Sequence, residues 1–232
     1  MKRQLILAAI VAALPGMGAQ EAQAQFENRP LTSNAFTPTG YTLNQGEVTL
    51  GLGPIGFGLT DRVQVETNLL LWALQVYNAD LKLAIVKTEK TALAVGITAA
   101  RQSADFVDAE DVPFKSYSPY ISLSRRLGTN TLAHIGARRA SFSNLAGRQI
   151  DDAEPSGTAT GTGIFGGIQH GIGIRTKLLG DVGYDTTFDG LRVGGAALFG
   201  WDTFRLKLGL SYSTADDGFV LPIVGFRWRF QG

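Results

Sequence analysis

The chain has no cysteine, two histidines and a charged fraction of 18% across 232 residues. Without cysteine it cannot form a disulfide scaffold, bind zinc through thiolates or catalyse with a thiol. The two histidines, His134 and His170, are far apart in sequence and make a poor metal set, so neither a metal nor a cofactor is expected. A formal net charge of +1 gives no global electrostatic case for nucleic acid. Beyond the N-terminus no segment reaches 18 uninterrupted apolar residues, so no transmembrane helix is predicted. Helical periodicity is missing as well. What is abundant is glycine, 29 residues, on a background of 44% hydrophobic residues, enough for a folded chain.

The N-terminus has the layout of a secretory signal peptide. Met1, Lys2 and Arg3 form a positive start, Leu5 to Leu14 an apolar run, and Ala22-Gln23-Ala24 a small-x-small cleavage site. The apolar run, about 10 residues, is half the roughly 20 that a spanning helix needs. Residues 1–24 are therefore read as a cleaved signal peptide, with the mature chain beginning at Gln25. Removing Lys2, Arg3 and Glu21 leaves 19 basic and 19 acidic residues, a neutral mature chain.

The dominant pattern after that has period two, the signature of half-buried strands. Phe204, Leu206, Leu208, Leu210 and Tyr212 alternate with Arg205, Lys207, Gly209, Ser211 and Ser213. Val63, Val65 and Thr67 alternate with Gln64, Glu66 and Asn68, and Leu93, Val95 and Ile97 with Ala94, Gly96 and Thr98. Short turn signals near residues 61, 89, 129, 171 and 202 punctuate these runs. The spacing predicts twelve strands, near 34–42, 46–58, 62–75, 78–87, 91–101, 114–127, 131–144, 158–170, 173–185, 189–200, 203–214 and 218–230, with ten as the alternative if 34–58 is misread. The stretch 160–168, TGTGIFGGI, is followed by no helical pattern, so it reads as a glycine-rich strand and not as a phosphate loop.

Period two alone cannot tell a soluble barrel from one turned inside out. Strands of 10–14 residues match a tilted membrane crossing, and aromatic residues gather near strand ends as interfacial girdles do. Short turns on one side and longer, acidic connections at 102–113 and 145–157 on the other match the asymmetry of an outer-membrane barrel. The expected fold is an all-β transmembrane antiparallel barrel over 34–232, preceded by a periplasmic segment at 25–33. A soluble secreted barrel that binds a ligand is the alternative.

The stretch GLTDRVQV (58–65), led in by LNQGEVTLGLG (43–53), is similar to the "YGLTDRLEL" hairpin of uncharacterised Gram-negative outer-membrane β-barrel proteins. The resemblance implies a membrane barrel and brings no activity with it. The final strand, PIVGFRWRF (222–230), is similar to the C-terminal signal read by the barrel-insertion machinery, although Gln231 and Gly232 follow the last aromatic.

Two sets of residues invite a functional reading. Arg175, Lys177, Arg192, Arg205, Lys207, Arg227 and Arg229 fall on the polar face of the last four strands, partly compensated by Asp181 and Asp185. In a lumen they would either brace a narrow barrel through ion pairs or attract small anionic solutes by focusing a positive field. His134 invites the second reading, a lipid-modifying outer-membrane enzyme with a serine nucleophile. Ser141 lies on the opposite face of that strand, which leaves Ser122 or Ser124 on a neighbour. The acidic loops read as solvated, or as divalent-cation bridges to lipopolysaccharide phosphates. Together these point to a non-enzymatic outer-membrane barrel, a small-solute pore or a structural protein. Its partners are membrane lipid, lipopolysaccharide and the insertion machinery.

Overall fold

Alternating side chains can bury one face of each strand only if the sheet closes or stacks, and here it closes. The computed structural model describes residues 30–52, 54–102, 115–143, 158–186, 189–201, 203–215 and 218–230. The signal peptide, Gln25 and nearly all of both acidic loops lie outside the described residues. The strands are β1 (Val48–Leu52), β2 (Pro54–Gly58), β3 (Val63–Asn68), β4 (Val76–Lys87), β5 (Thr91–Gln102), β6 (Lys115–Arg126), β7 (Thr131–Ser143), β8 (Ala159–Gly173), β9 (Thr176–Asp185), β10 (Gly190–Gly200), β11 (Phe204–Ser213) and β12 (Phe219–Phe230). Each pairs antiparallel with its sequence neighbours, and β1 pairs with β12 to close the barrel.

The total of twelve agrees with the expectation, but two strands are assembled differently. No strand forms at 34–42, where the described residues make only an isolated bridge between Ser33 and Pro38. The expected strand at 46–58 is instead two, β1 and β2, paired as a hairpin with Val48 opposite Phe57 and Thr49 opposite Gly56. Leu50 and Phe57 are both exposed on the outer face, so the apolar positions switch from even to odd numbers between β1 and β2. Pro54 stands at the first position of β2, where a strand tolerates proline. The expected strand 62–75 stops at Asn68, whose side chain accepts the Leu70 N–H and caps a one-turn helix, α1 (Leu69–Ala73).

The short hairpin leaves the wall uneven. β1 meets β12 only from Phe230 to Phe226, while β12 continues to Phe219 with β11 on its other side. Among the described residues, Phe219–Gly225 have no registered partner on the β1 side.

The barrel is inside out relative to a soluble protein. Leu81, Leu83, Ile97, Ile121, Ile135, Ile164, Val182, Leu208, Leu210 and Val224 are exposed on the outer face. Gln64, Lys82, Ser122, Ser124, His134, Asp181 and Arg205 are buried on the inner one. A soluble secreted barrel would bury the first set and hydrate the second, so that alternative is overturned. Aromatic rings mark both ends of the apolar band. At the short-turn end Phe204 packs against Trp201 (5.5 Å) and Trp228 (5.2 Å), and Phe226 against Trp228 (5.3 Å). At the other end Trp72 meets Tyr77 edge-on at 5.7 Å, and Tyr117, Tyr184 and Tyr212 are exposed toward the same end of their own strands.

Candidate functional site

The segment before β1 runs through the lumen. β1 begins where β12 ends, at the short-turn end, so the preceding chain must enter there. Pro30 lies beside Thr129 and Asn130 of the β6–β7 turn. From Pro30 the chain climbs, reverses at 34–37 and returns, held as a narrow hairpin by Asn34 N–H to Thr37 O (2.8 Å) and Thr39 N–H to Thr32 O (3.1 Å). Thr32, Asn34, Thr37, Thr39, Thr42 and Glu47 are all buried. Their polarity suits a lumen lined with polar side chains, since a buried polar group needs a hydrogen-bond partner.

The wall supplies those partners strand by strand. At the tip, the Asp181 carboxylate on β9 accepts the N–H groups of Phe36 (2.8 Å) and Thr37 (3.0 Å) and the Asn34 side-chain amide (2.5 Å). The same amide reaches Gly180 O at 3.0 Å. Ser124 Oγ accepts the Gly40 N–H (2.8 Å), and Ser122 Oγ donates to Pro38 O (2.9 Å). Lys82 Nζ donates to Thr32 O (2.7 Å), Lys207 Nζ to Asn34 O (2.5 Å) and Ala35 O (3.3 Å). Gln64 Oε1 accepts the Leu43 N–H (2.8 Å). At the hinge into β1, Glu47 forms a two-pronged ion pair with Arg229, Nε to Oε1 and Nη2 to Oε2 (2.9 Å). Fit is close as well as polar: a Cβ on Gly40 would lie 2.2 Å from Ala92 O, so no larger residue seats there without backbone movement.

An apolar contact orients the hairpin. Leu31 and Ala35 pack against the inward Leu179, Ala196, Leu198 and Ile223, with Phe36 beside them. The Arg192 guanidinium sits 4.4 Å from the centroid of the Phe36 ring, a cation–π distance.

Of the seven cations singled out from sequence, five converge. Arg192, Arg205, Lys207, Arg227 and Arg229 line one cavity of about 370 Å³ between the hairpin and β10–β12. Arg227 Nη1 lies 4.0 Å from Glu66 Oε1 and Arg192 Nη2 donates to Ser211 Oγ at 3.0 Å. Lys177 lines a separate cavity at the short-turn end with Pro30 and Gln169. Arg175 sits in the β8–β9 turn, its carbonyl accepting the Gly200 N–H at 2.8 Å. Asp185 pairs with Arg138 across the strands (2.9 Å), and Asp181 serves the hairpin. A second lumenal cavity of about 310 Å³, on the opposite side of the hairpin, is lined by Glu66, Asp80, Lys82 and Arg138. Tyr120 and Thr98 both donate to Asp80 there (3.0 and 2.7 Å).

His134 faces the lumen under the hairpin. Its Nε2 lies 2.8 Å from Thr37 Oγ1 and 3.1 Å from Asp181 Oδ1. A nucleophile–base–orienter relay places the acid on the other ring nitrogen; here the hydroxyl and the carboxylate address the same one. Ser124, its register partner, spends its hydroxyl on Gly40, and Ser122 on Pro38. The arrangement is a hydrogen-bond network that seats the hairpin. Sequence reasoning did not find Asn34, Thr37, Lys82 or Gln64 as site residues. The available signal was a run of small polar residues, TSNAFTPTG (32–40), without alternation.

Neither protein-family models nor the curated proteins match the sequence. Among solved structures, the chain is similar to "KdgM porin in complex with disordered oligogalacturonate", with a TM-score of 0.52 and 9% identity, covering 80% of this chain and 97% of that one. A second KdgM porin structure gives a TM-score of 0.51 at 9% identity over the same shares. At that identity the likeness is one of fold: the chain has the closed antiparallel barrel of an outer-membrane porin.

Proposed function

We propose that this chain is a non-enzymatic outer-membrane barrel that passes small solutes, anions before cations, when its N-terminal hairpin yields. The observation that carries the reading is the placement of Arg192, Arg205, Lys207, Arg227 and Arg229 on one lumenal cavity. A positive wall in a low-dielectric channel concentrates anions and repels cations. The exported, mature chain begins near Gln25, is delivered by the signal peptide and is inserted through its C-terminal strand. Its acidic loops meet lipopolysaccharide, and the GLTDRVQV hairpin marks kinship with the Gram-negative barrels it resembles.

The test is the reversal potential of the refolded protein in a planar bilayer across a salt gradient, for the wild type and for Arg205→Glu with Lys207→Glu. Anion preference in the first and its loss or inversion in the second are expected. The preference should weaken as salt screens the wall, over about 10 Å at 0.1 M. A cation-selective wild type, or a double variant with unchanged selectivity, refutes the reading. A bracing role is the second reading, favoured by the bonds from Lys207 and Lys82 to hairpin carbonyls. It is the one left standing if no current passes under any condition.

A further inference from the structure

The cavity that holds the five cations has a second character. Ala35 and Phe36 of the hairpin and Leu198 and Ile223 of the wall line it too. Glu47 pairs with Arg229, and Glu66 lies 4.0 Å from Arg227. Asp181, which bonds the hairpin tip, is also within electrostatic reach of Lys207 and Arg192. Lys207 is met by two neutral carbonyls and Arg192 by a neutral hydroxyl and a ring. Arg192, Lys207 and Arg227 thus outnumber the two carboxylates, Glu66 and Asp181, that bear on them, beside an apolar surface and within about 370 Å³, near the lower end of small-molecule sites.

We infer that this cavity is a binding site for a small organic anion with an apolar body, its charged group on the Arg192–Lys207–Arg227 side and its body against Phe36, Leu198 and Ile223. An inorganic anion would use only the charges, and a neutral apolar molecule would leave them uncompensated. A carboxylate or similar group makes charge-assisted bonds to guanidinium and ammonium donors, while the body covers surface that water would otherwise wet. The hairpin supplies Leu31, Ala35 and Phe36 to the apolar lining, so the site is complete only with the lumen occupied. The cavity also reaches Pro222 and Gly225, where β12 outruns β1 and the wall is lowest. The inference rests on the reading of the basic wall as solute-facing and names the class of solute.

Calorimetric titration of the refolded full-length mature chain in uncharged detergent, which passes no current, tests it apart from conductance. The probes are benzoate, its neutral counterpart benzamide, and the polar anion glucuronate. Benzoate is expected to bind about tenfold or more tightly than either. Arg192→Gln and Phe36→Ser should each weaken benzoate by about tenfold, and Phe36→Ser should leave glucuronate unchanged. Equal binding of benzamide or glucuronate overturns the assignment, as does benzoate affinity unchanged in both variants. If a variant fails to show heat-modifiable migration, and so has not folded, the ranking of the three probes on the unaltered chain still decides. A barrel that binds benzoate yet never conducts refutes the pore alone, and one that conducts anions without binding benzoate refutes this site alone.

Discussion

The Asp181 carboxylate on β9 accepts the backbone N–H of Phe36 at 2.8 Å, 145 positions earlier in the chain. Its second bond to the Oδ2 atom, from Thr37 N–H at 3.0 Å, makes that oxygen the receptor for two consecutive amides at the hairpin tip. Oδ1 takes the Asn34 amide at 2.5 Å and faces His134 Nε2 at 3.1 Å. Asp181 therefore holds the amide side of the tip, and Lys207, on Asn34 O and Ala35 O, its carbonyl side. Most other contacts of the hairpin involve its two arms.

Asp181→Ala is expected to loosen the tip, leaving it on Lys207 alone among the charged wall residues that bond it, while the barrel stays closed. Each buried donor left without an acceptor costs about 1–3 kcal/mol, and two hairpin donors, the N–H groups of Phe36 and Thr37, lose theirs, while the Asn34 amide keeps Gly180 O. The arms remain tied through Lys82, Ser124 and Glu47, so the hairpin should sample positions outside its seat without leaving the protein. In planar bilayers the variant should show a single-channel conductance several times that of the wild type. Equal conductance in the two proteins would mean that the tip does not limit passage.

The contrast between the hairpin and the wall explains what the sequence could disclose. Along 204–213 a residue's face follows from its position alone, so Lys207 inward and Leu208 outward could be read directly. The hairpin has no such period. Its partners come from β3, β4, β6, β7, β8, β9, β11 and β12, as far as 195 positions away, and only closure of the barrel brings them together. The split of 46–58 was legible in part: Val48 and Leu50 are even, Ile55 and Phe57 odd, and such a phase change across Gly53-Pro54 marks a reversal. The basic set was legible as a face but not as a site. Register brings Arg205 opposite Arg227, whereas Arg175 falls in a turn.

Leu208→Arg should damage folding far more than Lys207→Leu. Leu208 points outward midway along β11, where an arginine in lipid costs about 2–4 kcal/mol. Lys207→Leu removes the bonds to Asn34 O and Ala35 O and should loosen the hairpin while the wall assembles. Folding yield into lipid vesicles, read by heat-modifiable migration on a gel, ranks the two. The reverse ranking would place Leu208 inside and overturn the membrane register.

Cell fractionation should recover the mature chain with the outer membrane, released only by detergent. The exposed apolar band, with Leu210 60% and Ile164 61% accessible, has no favourable contact in water. Recovery from the soluble periplasm without detergent would contradict this placement.

The receptor itself can be disturbed without touching either Asp181 or the hairpin. Gly167 is opposite Asp181 in the β8–β9 register, and a Cβ built on it would stand 2.0 Å from Asp181 Oδ1, 2.4 Å from Gly180 O and 2.7 Å from His134 Cε1. No side chain fits there unless both the carboxylate and the Gly180 carbonyl move, and the two hairpin amides follow from where the carboxylate sits. Gly180, its neighbour across the same strand pair, is different: an added Cβ meets only Ile168 Cγ2, at an ordinary 3.7 Å. Gly167→Ala should therefore reproduce the raised conductance of Asp181→Ala, and Gly180→Ala should behave as the wild type. Both variants add the same methyl to the same sheet, so a difference between them cannot come from strand propensity. Single-channel recordings of the two decide the matter. If Gly167→Ala conducts like Gly180→Ala, the position of the Asp181 carboxylate does not govern the hairpin, and its hold must lie in Lys207 or in the arms.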